Sequence, residues 1–355
     1  MSLEARLKAE IASGGPLTVA QYMTACLHDP QDGYYATRPR LGEGGDFITG
    51  PLVSQMFGEL IGLWCVEAWR RLGRPGRFVW AELGPGDGTL MSDALRAARL
   101  EPAFLEAADL WLVEPSAPLA EAQRARLRDA PLAPAWTAGL EGLPDGVPLI
   151  CIANEVLDCL PARQFVRTRA GWAERMVGLG EDGALAFGLS PRPAGPAFPD
   201  APEGAVLEVS PAQEALGSAL GRRIAVFGGA ALLIDYGRAE PGFGDTLQAV
   251  RGHAKQGPLE TPGEADLTVH ADFPAVLAAA RREGAACPPV LTQREFLLRL
   301  GVEARAAALA RARPDRAEVT GRQLQRLIGP GQMGELFKAA CIHSPGARPP
   351  AFEEA

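Results

Sequence analysis

Several chemistries are missing from this 355-residue chain. Its six cysteines (Cys26, Cys65, Cys151, Cys159, Cys287 and Cys341) form no C-x-x-C pair, and its four histidines (His28, His253, His270 and His343) lack metal-ligand spacing. A resident metal is therefore not expected, and scattered thiols suit a reduced cytosolic protein. There is no basic tail and no arginine-rich stripe with interleaved aromatics. With a formal net charge of −8, nucleic acid is not the expected partner. No apolar run approaches the roughly 20 residues of a membrane span. The N-terminal MSLEARLKAEIA has no hydrophobic signal core, and its acids argue against a transit peptide. The expected location is the cytoplasm. Neither a G-x-S-x-G elbow nor a Walker A lysine occurs, which leaves hydrolase and P-loop chemistry without support.

What remains is a chain that is 47% hydrophobic, enough for a large core in one domain with insertions or in two domains. From Phe78 onward, apolar strand-like runs alternate with helical stretches. Strands are expected at 77–82, 109–114, 134–138, 148–153, 230–235, 287–292 and 336–342, and helices at 89–99, 116–128, 211–222, 272–283, 293–300 and 303–313. Near-continuous apolar runs suit strands covered on both faces, and the alternation predicts a doubly wound α/β sheet. Residues 1–75 read as a helical region interrupted by a glycine-rich loop, with Thr18 capping a helix to Leu27 and a long helix from Ser54 to Leu72. The first half of the α/β domain then covers 76–161. A β-rich cap is expected at 162–210, the second half at 211–345, and a tail at 346–355. Residues 237–268 read as a long loop.

The segment FVWAELGPGDGTL, Phe78 to Leu90, carries the strongest signal. A strand ends in Glu82 and runs into Gly84, Pro85, Gly86 and Gly88. Missing side chains at a strand–helix turn let backbone approach a nucleotide-like ligand. The spacing is G-x-G-x-G, not the G-x-G-x-x-G of dinucleotide folds, and a carboxylate here opposes a pyrophosphate. A sulfonium and an ammonium would suit it, which points to S-adenosylmethionine. Glu114, ending the next strand, can accept both hydroxyls of an adenosine ribose. After the fourth strand, Asn154, Glu155 and Asp158 leave the sheet together, where carboxylates could grip an amine or a guanidinium. Asp46 and Thr49 sit in GEGGDFITGP, a candidate lid. Asp235 and Tyr236 end a further strand at the same edge.

The ordered set HDPQDGYYATR, GGDFITGP, ELGPGDGTL, NEVLDCLP, LLIDYG, GDTLQAVRGH and GELFKAACI resembles the mitochondrial-dysgenesis-A (MidA) family of S-adenosylmethionine-dependent methyltransferases. Its eukaryotic members are complex I assembly factors that methylate arginine. The resemblance implies a class I methyltransferase fold, a Rossmann-like sheet of seven strands with the last antiparallel. It implies that Glu82, Gly84, Pro85, Gly86 and Gly88 form the cofactor loop and that Glu114 holds the ribose. Asp46, Phe47 and Thr49 match the family's GDF-x-T element near the cofactor. Asn154, Glu155 and Asp158 match its N-E-x-x-D element near the acceptor. The implied partner is the 49-kDa-type subunit of respiratory complex I. Two positions depart: Leu52 stands where the family commonly has glutamate, and Asp87 where a relative often has arginine. Alternatives left open by the residues are a methyltransferase acting on a small molecule or another protein side chain, an NAD-dependent oxidoreductase and a non-catalytic assembly chaperone.

Overall fold

The computed structural model describes residues 1–37, 49–193 and 198–353. The strands of its central sheet are numbered here in chain order: β1 (Phe78–Leu83), β2 (Ala108–Val113), β3 (Ala135–Thr137), β4 (Leu149–Asn154), β5 (Gly229–Arg238), β6 (Leu291–Thr292) and β7 (Phe337–His343). Their spatial order is β3-β2-β1-β4-β5-β7-β6. The first five run parallel, while β7 lies antiparallel to both β5 and β6. This is the class I methyltransferase sheet. The two residues Ala271–Asp272 add a parallel bridge to the end of β5.

Side-chain alternation builds the layers. Phe78, Trp80, Ile150, Ile152, Leu232 and Ile234 point to one face, where the helices Gln55–Arg71 and Thr89–Ala98 cover them. Val79, Ala81, Leu149, Cys151 and Leu233 point to the other, under Pro211–Phe227 and Phe273–Arg282. Both faces of the strands are dry, which is why their sequences lack polar alternation. Register does the rest: Leu83 stands beside Val113 and Ala153, and Asn154 beside Ile234. Glu82, Glu114, Asn154 and Asp235 therefore emerge along one edge, the carboxyl ends of the parallel strands, where open α/β sheets bind ligands.

A second sheet is made of Leu17–Thr18, Arg163–Thr168, Gly171–Leu179, Leu185–Pro193 and Val206–Val209. The N-terminal helices Leu3–Gly14 and Val19–His28 pack against it through Leu7, Ile11, Tyr22 and Val177. Thr18 does cap the second helix, in a reciprocal box with Gln21.

Two expectations fail. The strand at 287–292 shrinks to Leu291–Thr292, with Ala286 making an isolated bridge to His343. Pro288 and Pro289 have no N–H to give to a ladder. The supposed loop at 237–268 contains a three-stranded sheet of Gln248–Arg251, Ala254–Gln256 and Asp266–Thr268. Its hairpin turns at Gly252 and His253, with φ of +56° and +63°. Two left-handed residues in succession make the turn whose twist matches paired strands.

Candidate functional site

A cavity of about 650 Å³ opens over the carboxyl edge of β1, β2, β4 and β5. Its floor is the glycine turn. Gly84 and Gly86 take φ of +58° and +57°, the left-handed region that side chains resist. A Cβ on Gly84 would stand 3.0 Å from Cγ2 of Val156. The turn is held by N–H donation from Gly84 to the Val113 carbonyl (3.1 Å) and from Gly88 to the Pro85 carbonyl (2.9 Å). Gly88, with φ of +82°, starts the helix Thr89–Ala98 and is not part of the cavity wall. Asp87 is partly buried. It accepts from the Thr89 N–H (3.0 Å) and from Arg126 (2.7 Å).

Glu82 is 2% exposed, and its Oε2 has no hydrogen-bond partner. Burial, then the charges of Asp87 and Glu114, push its carboxyl up to about 8. Glu114 is also raised, by burial. Its Oε1 accepts from the Ser116 N–H (2.8 Å) and its Oε2 from Gln123 (3.1 Å). Gln123 is the residue the sequence reading overlooked. Fully buried, it also donates to the Gly86 carbonyl (2.8 Å) and accepts from Trp136 (2.9 Å). One amide thereby ties the glycine turn to the carboxylate of the neighbouring strand. Its only signal was a position nearly two turns into the helix Ala117–Arg126 that follows Glu114.

Across the cavity, β4 ends in the Asn154–Asp158 turn. Glu155 takes φ of +55°, unusual for a side chain bearing Cβ and a mark of a locally constrained site. Its Oε1 accepts from Asn154 (2.9 Å) and from the Gly50 N–H (3.2 Å). Burial and the nearby Asp158 push Glu155 up to about 7. Burial raises Asp158 as well, and the Tyr236 hydroxyl lies beside it without reaching hydrogen-bond geometry. The Asn154 Oδ1 is buried and without a partner. Tyr35 closes one side: its carbonyl accepts from Ser116 (2.8 Å) and its hydroxyl donates to Asp266 (3.1 Å).

Of the residues singled out in the sequence, Thr49, Glu82, Gly84, Pro85, Gly86, Glu114, Asn154, Glu155 and Asp158 all face this one cavity. Leu52 lines it too, so an apolar side chain occupies the departure from the family pattern. Asp46 and Phe47 lie outside the described residues. Seven residues of the wall are aspartate or glutamate, and none of the described ones is lysine or arginine. Such a wall repels a pyrophosphate and attracts cations. A cradle of side-chain-free backbone, an orphaned buried carboxylate oxygen and a braced strand-end acid fit S-adenosylmethionine, which carries a ribose, a sulfonium and an ammonium.

Comparison with known proteins agrees. Residues 60–290 match the family described as "Putative S-adenosyl-L-methionine-dependent methyltransferase". A Drosophila melanogaster relative, "Protein arginine methyltransferase NDUFAF7 homolog, mitochondrial", is 36% identical over 95% of this chain and 84% of its own. The Homo sapiens NDUFAF7 protein is 35% identical over 93% and 81%. A Burkholderia thailandensis structure bound to S-adenosyl-homocysteine superposes with a TM-score of 0.84 at 28% identity, covering 99% of this chain and 93% of that one. The chain belongs to this family: it is a class I methyltransferase whose cofactor is S-adenosylmethionine.

Proposed function

We propose that the protein methylates an arginine side chain of a protein substrate. The observation that carries this reading is a cavity wall with seven acidic residues and, among the described ones, no lysine or arginine, with Glu155 and Asp158 together on the turn opposite the glycine loop. The curated relatives named as protein arginine methyltransferases support it. The partner we propose is the 49-kDa-type subunit of respiratory complex I, on the strength of the family resemblance. A cytoplasmic location fits the six unpaired cysteines. Among the described residues no helix is long and apolar enough to cross a membrane.

Gly84, Pro85 and Gly86 would lie against the cofactor, with Glu82 toward a polar group of it, Glu114 at the ribose, and Thr49 on the same cavity wall. Bound S-adenosylmethionine supplies a methyl carbon made electrophilic by a sulfonium. The rest falls to the acceptor turn. Glu155 and Asp158 would receive the guanidinium through charge-assisted hydrogen bonds and hold one nitrogen toward the cofactor side of the cavity, where positioning is the main source of rate. They would localise electron density on that nitrogen, the atom to which the cofactor would supply its methyl group. The extra N–H proton leaves to Glu155, whose affinity for it is raised by burial, and from there to water. Asn154 orients Glu155 by donating to it.

The test is transfer of radiolabelled methyl to matched peptides that differ only in carrying arginine or lysine. Arginine is the expected acceptor. Equal labelling of both would remove the guanidinium reading.

A further inference from the structure

We propose that Asp235 is the positioning residue of the acceptor site, holding the turn that carries Glu155 and Asp158. The inference rests on the acceptor reading of that turn and goes beyond it, because Asp235 does not line the cavity.

Asp235 belongs to β5, and its side chain is 0% exposed. Its Oδ2 accepts the backbone N–H of Leu157 (2.9 Å) and of Asp158 (3.2 Å), and its Oδ1 accepts its neighbour Tyr236 (2.8 Å). The two turn amides follow a residue in the left-handed region, Glu155, and the β4 ladder has already ended. Without Asp235 they would be buried donors with no acceptor, a costly arrangement. The turn is anchored at its start by the Glu155 N–H on the Ile234 carbonyl (2.8 Å). Adjacent β5 residues thus clamp both ends of the segment that presents the acceptor carboxylates.

The surroundings of Asp235 are acidic. Asp158 and Glu155 face it, and Cys159 and Tyr236 are the other titratable neighbours. Lys338 pairs with it in register on β7 but gives its ammonium to the carbonyls of Glu335 and Leu336. Burial first, and then Asp158 and Glu155, hold Asp235 well above the usual carboxylate range.

Two variants test the hydrogen bonds. Asp235→Asn keeps an oxygen for the Leu157 and Asp158 N–H groups, so amide exchange there should stay slow and the KM for the arginine substrate should stay near the wild-type value. Asp235→Ala should lose that protection and raise the KM for the arginine substrate about tenfold, with S-adenosylhomocysteine affinity unchanged. Full protection and wild-type KM in Asp235→Ala would overturn the proposal, and so would a KM raised as far in Asp235→Asn as in Asp235→Ala. If Asp235→Ala does not fold, amide exchange in the wild type decides: fast exchange at Leu157 and Asp158 would overturn the proposal. If the wild type methylates no arginine, the acceptor reading fails, while the exchange measurement still reports whether Asp235 holds the turn.

Discussion

Replacing Glu82 by glutamine should stabilise the cofactor-free protein and weaken its grip on the cofactor. The reasoning starts from a carboxyl that is 2% exposed, with one oxygen unpartnered. Burial, Asp87 and Glu114 raise it from 4.5 to about 8. An acid whose folded value is raised keeps its proton in the folded protein after the unfolded chain has lost it. Stability from this group is therefore fully present below pH 4.5 and is lost as pH climbs from there toward about 8. Between about pH 6 and about pH 8 the difference between the two states falls from nearly one proton to about half of one, and at about 1.36 kcal/mol per unit the wild type loses about 2 kcal/mol. Glutamine has no proton to lose. Urea denaturation at both pH values should show the advantage of Glu82→Gln over wild type growing by about 2 kcal/mol. Saturating S-adenosylhomocysteine at about 100 times its Kd should return about 2.7 kcal/mol to the wild type and much less to the variant. A stability difference that stays constant with pH would refute the argument, because it would mean that Glu82 is solvated or paired.

Four further outcomes follow from the site. Gly84→Val should abolish thermal stabilisation by S-adenosylhomocysteine, since any Cβ there meets Val156 and the residue sits at φ +58°; retained stabilisation would remove the floor assigned to the turn. Gln123→Leu should weaken S-adenosylhomocysteine binding roughly tenfold, the cost of one lost hydrogen bond to a charged group, as read by calorimetry. Glu155→Gln should cut kcat by about 100-fold or more with cofactor affinity unchanged, which single-turnover kinetics and calorimetry separate. Because burial and Asp158 hold Glu155 near 7, wild-type kcat should rise with pH through about 7 as the carboxylate forms, and a flat profile there would take the proton-accepting role from it.

Much of the fold was legible because the central strands are buried on both faces and read as unbroken apolar runs. The glycine turn and the strand-end acids were legible for a related reason: polar residues at the ends of such runs mark the open edge. Other features lay beyond local pattern. Pro288 and Pro289 sit in an apolar stretch that looks like a strand until their missing N–H groups are counted. The Gly252–His253 hairpin was hidden because Gly-His lacks the Asn-Gly or Asp-Gly order that marks such turns, although its first strand and the strand paired with it place Ala249 and Leu267 in the N-terminal core. Gln123 and Asp235 act through hydrogen bonds to residues 37 and 78 positions away, such as Gly86 and Leu157, and no spacing rule reaches that far. Gly88 matched the motif as well as its neighbours do, yet it serves the helix start and not the cavity.

The most direct measurement is mass spectrometry of the 49-kDa-type complex I subunit after incubation with the purified protein and S-adenosylmethionine, with the Glu155→Gln variant in parallel. The account predicts methyl groups on arginine with the wild type and almost none with the variant. An unmodified subunit, or methyl groups on residues other than arginine, would contradict it.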